Sequence, residues 1–139
     1  MISIFRRTVA VYASATPAWL RWGSAIGWAG VLWMLSARSS HGQPGPLWFS
    51  VVWNSGHVVV YFVLSILVMS ALTGRPWSHR VRVLVAIAIS TLYGVVDELH
   101  QSTVPGRDCS ILDVCSDFVG SVLGVVLGFA RPTSSSPRD

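Results

Sequence analysis

Asp97, Glu98, Arg107, Asp113 and Asp117 fall within one stretch, Tyr93 to Gly128 (YGVVDELHQSTVPGRDCSILDVCSDFVGSVLGVVLG), set between two long apolar runs. The whole chain has only 10 basic and 6 acidic side chains, so this is a concentration of charge. Carboxylates gathered near a histidine are the equipment of general acid and base catalysis. Asp97, Glu98 and His57 are therefore the candidate catalytic groups. An arginine after a turn, as Arg107 is after Pro105-Gly106, can hold a phosphate or carboxylate through paired hydrogen bonds. Tyr61 lies one helical turn beyond His57 and Gln101 one turn beyond Asp97, adding neutral hydrogen-bonding groups. The candidate substrate-binding set is His57, Tyr61, Asp97, Glu98, Gln101, Arg107, Asp113 and Asp117. His57 with Asp97, Asp113 and Asp117 also offers metal-ligand types. No tight motif such as His-Glu-x2-His is present, however, and neither a metal nor a cofactor is expected. The competing use is a salt-bridge network that only holds helices together, although buried ion pairs are weak stabilisers.

Four apolar runs must position these groups. The chain is 139 residues long, 52% hydrophobic and 12% charged, with a mean hydropathy of +0.57. Soluble domains carry about 25% charged residues, so the expected class is an all-α, polytopic membrane four-helix bundle. The spans run from Trp19 to Ala37, Trp48 to Leu72, Val83 to Leu99 and Ile111 to Ala130, each long enough to cross a bilayer at about 1.5 Å per residue. Arg21 is expected to snorkel to the interface beside Trp19 and Trp22. Residues 1–17 read as a short basic cytoplasmic segment, 18–131 as the transmembrane domain and 132–139 as a disordered cytoplasmic tail. No small-x-small cleavage site ends the first run, so it reads as an uncleaved span. The segment RSSHGQPGP from Arg38 to Pro46 is a loop punctuated by Gly and Pro. Cys109 and Cys115 form no metal motif and read as small apolar fillers.

The net charge of +4 comes from arginine alone. The arginines punctuate apolar runs and make no basic stripe, which argues against nucleic acid as a partner. With the N-terminus inside, Arg6, Arg7, Arg21, Arg75, Arg80, Arg82, Arg131 and Arg138 fall on the cytoplasmic side, and only Arg38 and Arg107 fall opposite. The positive-inside rule then places both termini in the cytoplasm. Asn54 and His57, Asp97 and Glu98, and Asp113 and Asp117 thereby come to one depth near the outer face. At about 100° per residue, Asp113, Asp117, Gly120, Gly124 and Gly128 lie within about 80° of one another. Tyr93, Asp97 and His100 share a second face, and Asn54, His57, Tyr61 and Ser65 a third. Being adjacent, Asp97 and Glu98 point apart, so the simplest expectation puts one inside and the other at the water interface. The Gly120, Gly124, Gly128 stripe permits close helix approach, within the chain or in a homodimer.

With these residues in view, DELHQSTVPGRDCSILDVCSDFVGSVLG resembles the VanZ-like membrane family, whose pattern has an acidic pair, a Gln, a Pro-Gly-Arg turn, an Asp and a Gly-rich end. His57 and Tyr61 in NSGHVVVYFVLSIL match its His-x3-Tyr, and Ser36 with RSSHGQPGP matches its first-loop Ser and Pro. The resemblance covers about residues 20 to 130. The chain lacks the basic residue the family often has near Asn54 and carries Asp117 where an Asn is common. The resemblance implies a bacterial cell-membrane location, and its namesake is linked to resistance to the glycopeptide teicoplanin. No reaction comes with it.

The expected function is recognition of a membrane lipid head group or lipid-linked cell-wall precursor by the acidic cluster. Two other classes fit the same residues: an intramembrane acid/base hydrolase or transferase on a lipid-linked substrate, and an ion- or proton-coupled transporter.

Overall fold

The computed structural model describes residues 1–38, 47–107 and 109–129, and for residues 47–54 the backbone helix alone. The loop at 39–46, the Asn54 side chain and the expected disordered tail lie outside the described residues. The described chain is all-helical: α1 (Ile2–Ala15), α2 (Ala18–Ser36), α3 (Leu47–Ala71), α4 (His79–Gln101) and α5 (Ile111–Phe129). Helices α2 to α5 match the four apolar runs. The fifth, α1, occupies what the sequence pattern gave only as a basic segment.

Local chemistry sets the boundaries. Pro17, which supplies no N–H, precedes α2 in extended conformation. Ser78 Oγ accepts Val81 N–H at 3.3 Å, which starts α4 four residues ahead of the first apolar residue of its run. Gly74 (φ 90°) and Gly106 (φ 81°) turn the chain after α3 and α4, in backbone that favours glycine.

Helix α3 is central and packs most extensively on α5, with α2 and α4 beside it and α1 against α5. Tyr61, Leu64, Val68 and Met69 of α3, with Leu72 just past its end, form the core with Ala25, Leu32, Ala86 and Val125. The α3–α5 seam depends on absent side chains. A Cβ on Gly120 would collide with the Val58 carbonyl, and one on Gly124 with Ser65 Oγ and the Phe62 carbonyl. The glycine stripe, also read as a homodimer face, is thus covered by α3 of the same chain.

Helices α4 and α5 are long and apolar enough to cross a membrane, and α3 is apolar over Ser55–Ala71. Leu84, Leu92 and Leu99 on α4 and Leu112, Phe118 and Val126 on α5 point outward, exposed. An apolar exterior of this breadth marks a surface that meets membrane or protein. Arg21 corrects its snorkelling expectation: it is 8% exposed, and its Nη1 donates to the Ala13 carbonyl of α1. The docked α1 covers it. Cys109 and Cys115 are unbridged and exposed, so neither fills the interior.

Candidate functional site

The last turns of α4 and the first turns of α5 bring four acids inside. Asp97 is 4% exposed, Glu98 1%, Asp113 8% and Asp117 0%. Each needs a local reason to be there, because an unpaired buried charge is costly.

For Asp113 the reason is a shared cap. Ser110 Oγ accepts Asp113 N–H at 3.3 Å and starts α5. In a capping box, the side chain of the third helical residue reaches back to the cap's own N–H. Here Ser110 N–H goes instead to Glu98 Oε2 at 2.9 Å, and the Asp113 carboxylate faces His57, with Oδ2 4.0 Å from Nε2. Glu98 also holds the other end of the α4–α5 connection, its carbonyl accepting Ser102 N–H at 3.0 Å.

Asp117 lies one turn deeper. Its Oδ1 is 2.9 Å from His57 Nδ1. Gly94 of α4 leaves its space: a Cβ there would stand 2.6 Å from Asp117 Oδ2. Tyr61 follows His57 along α3 with its ring nearly parallel, 5° apart, at 6.5 Å.

Beside this cluster, lined by residues of α2, α3 and α4, is a cavity of about 180 Å³. Ser36, His57, Tyr61, Asp97, Gln101 and Arg107 supply its polar wall, and Leu32, Leu35 and Val60 its apolar wall. Gln101 Nε2 donates to Asp97 Oδ2 at 3.0 Å. Arg107 Nη1 donates to the Ser36 carbonyl at 3.4 Å, folding the turn back towards α2. Helix α2 is fastened to α4 by Tyr93 O–H donating to Ala29 O at 2.6 Å and by His100, whose ring lies on Trp33 with centroids 3.8 Å apart.

All eight expected site residues therefore meet at one end of the molecule, with His57 common to the cluster and the cavity. The acidic pair departs from expectation. Both members are buried: Asp97 lines the cavity, while Glu98 turns to Ser110 N–H and lies near His57 and Asp113. Among the described residues, four buried polar atoms here have no hydrogen-bond partner, namely Tyr61 Oη, Asp97 Oδ1, Glu98 Oε1 and Asp117 Oδ2.

The family model for VanZ/LLP1 matches residues 5–131, from early α1 to just past α5. The chain belongs to the VanZ/LLP1 family. No curated protein and no solved structure matches it. The VanZ/LLP1 match and the two span-length helices together fit a membrane protein.

Sequence reasoning on this VanZ/LLP1 chain missed three contributors. His100 received no role, yet its Nδ1 is 3.2 Å from Ser36 Oγ. Ser36 was matched only as a loop residue, yet it lies on the cavity wall. Their signal was Trp33 and Ser36, three apart on one face of α2, opposite the Tyr93–Asp97–His100 face. Gly94 was detectable as a small residue one turn before the acidic pair. Metal-ligand geometry also differs from the sequence set. His57, Glu98 and Asp113 each present one ligand atom, all within 4.8 Å of one another, so Glu98 stands where Asp97 was considered.

Proposed function

We propose that this VanZ/LLP1 protein is a multi-pass protein of the bacterial cell membrane whose acidic end binds a lipid head group or lipid-linked cell-envelope precursor on the extracytoplasmic side. The observation that carries the reading is the cavity. Its polar wall combines a cationic hydrogen-bond donor (Arg107), a buried amide (Gln101) and an acceptor without a partner (Asp97 Oδ1), while its apolar wall is leucine and valine. A head group joined to a hydrocarbon stem needs that pairing of surfaces. The arginine distribution supports the orientation, with both termini cytoplasmic. Sequestering a precursor at the outer face would restrict glycopeptide access to it, which is how a link to teicoplanin would arise.

Native lipid mass spectrometry of the purified protein, beside Asp97→Asn and Arg107→Ala, tests this. A bound phospholipid or precursor that disappears in either folded variant is the expected result. A wild-type protein that carries no lipid through the same preparation overturns it.

A second reading, an intramembrane hydrolase or transferase, is favoured by Asp97 Oδ1. A buried carboxylate oxygen on a cavity wall is placed to take a proton from a bound group. Loss of all turnover of a lipid-linked substrate in Asp97→Asn, with folding and lipid binding intact, would select it.

A further inference from the structure

We propose that His57, Glu98 and Asp113 form a site for one divalent metal ion of the zinc or manganese class. Three spatial facts converge on it. The ligand atoms of the three residues lie within 4.8 Å of one another, one from each of α3, α4 and α5. His57 Nε2 and Asp113 Oδ2 are 4.0 Å apart, beyond the reach of a hydrogen bond. Atoms bound to one ion at about 2.0–2.2 Å in tetrahedral geometry stand about 3.3–3.6 Å apart, so the three ligand atoms need to close by no more than about 1.5 Å, within the reach of side-chain rotation.

An independent observation points the same way. Glu98 is 1% exposed, its Oε2 is engaged by Ser110 N–H, and its Oε1 has no partner. A buried carboxylate left half satisfied calls for a cation or donor. The interior around it holds four carboxylates and one imidazole, so a dication answers the charge that hydrogen bonds leave.

The outer shell is also built. Metal-binding histidines almost always give their other ring nitrogen to a carboxylate or carbonyl, which fixes the ring. Asp117 Oδ1 does this at His57 Nδ1, at 2.9 Å, and Gly94 leaves the room for Asp117 to stand there. With Nδ1–H directed at Asp117, Nε2 presents its lone pair on the side of Asp113. The donor set is imidazole and carboxylate, with Cys109 and Cys115 exposed, which suits zinc or manganese over thiolate-seeking ions. Short motifs miss this site because its ligands come from three helices.

The inference deepens the head-group reading and rests on it only for the ion's use. His57 belongs to both the triangle and the cavity wall, so an ion there stands at the cavity's edge and would take an oxygen of a phosphorylated head group.

The test uses the full chain in detergent, stripped with a chelator and titrated with Mn²⁺ alone. One Mn²⁺ per chain with micromolar or tighter Kd is expected, with nitrogen-14 modulation from a single imidazole in its electron spin resonance. That signature is read on the wild type, so it survives any variant that fails to fold. Asp117→Asn should weaken binding about 10–100-fold, the usual effect of an outer-shell change, while Arg6→Ala at the opposite end should leave Mn²⁺ affinity unchanged. Wild-type binding no tighter than millimolar, or bound Mn²⁺ without nitrogen coupling, overturns the proposal. A protein that holds Mn²⁺ but no lipid refutes the head-group reading and keeps the metal site; lipid bound without Mn²⁺ does the reverse.

Discussion

The two ends of the molecule solve the problem of charge in opposite ways. At the end where α3 and α5 finish and α4 begins, Arg6, Arg7, Arg82, His79, Ser14 and Thr73 line a cavity of about 600 Å³. Two arginines near this end rest on helix C-termini: Arg6 Nε donates to Leu127 O in the last turn of α5 at 3.0 Å, and Arg21 to Ala13 O in the last turn of α1. Those carbonyls carry the negative end of the helix dipole and lack partners within their own helices. Each helix end gains a cation, and among the described residues Arg21 Nε and Arg82 Nε are themselves buried without a partner. The acidic end meets the dipole with the opposite sign. Asp97 and Glu98 lie in the last two turns of α4, where the dipole already favours the opposite sign, and each has one buried oxygen without a partner. The arginines meet the helix dipole with the matching sign, whereas these two carboxylates sit against it.

Four substitutions test the contrast, and the largest effect belongs to Asp117→Ala. It strips the carboxylate of a buried Asp117 from its pair with a half-buried His57, for which about 3–5 kcal/mol of stability should be lost, read by denaturant unfolding in detergent micelles. Next comes Arg21→Met at the other end. Losing its bond to the α1 carbonyl should cost about 1–3 kcal/mol, yet lipid bound to the purified protein should be unchanged in native mass spectrometry. If lipid is lost there as well, the two ends are not separable. Asp97→Asn should move stability the other way. Removing a negative charge from the C-terminal turns of α4 should stabilise by about 1 kcal/mol, seen as a higher Tm, while ligand binding disappears. A lower Tm would place Asp97 among the groups that hold the fold. The smallest change in stability, within about 0.5 kcal/mol, is expected for Arg107→Ala, whose ligand affinity should nevertheless fall at least about tenfold, or 1.4 kcal/mol.

Much of this arrangement was legible because helical periodicity reports which residues share a face. The Asp113–Asp117–Gly120–Gly124–Gly128 stripe is buried throughout, and the polar groups of three spans do meet at one end. Periodicity does not say which face a neighbour fills. Nothing in the spacing chose Asp117 over Asp97 as the partner of His57, because that choice depends on Gly94 leaving room on α4. Nor did local pattern reveal α1. Its buried contacts rest on Val9 and Ala13, too short a stripe to stand out beside Arg6 and Arg7. Arg21 followed from that omission, since without α1 its surroundings read as an open interface. His100 and Ser36 were missed for a related reason: the Trp33 ring contact with His100 and the His100–Ser36 pairing need both helices in place.

The double grip of Glu98 has an entropic consequence. Its carbonyl holds Ser102 N–H and its carboxylate holds Ser110 N–H, so one residue closes both ends of the segment that carries Arg107. A cation on an open arm must be ordered each time a ligand arrives, at about 0.5–1.5 kcal/mol per immobilised side chain. On a closed loop, most of that ordering is completed when the protein folds. Arg107 then faces the cavity with little ordering left to do, and on the head-group reading a residue that never touches the ligand would help to set how fast it is captured.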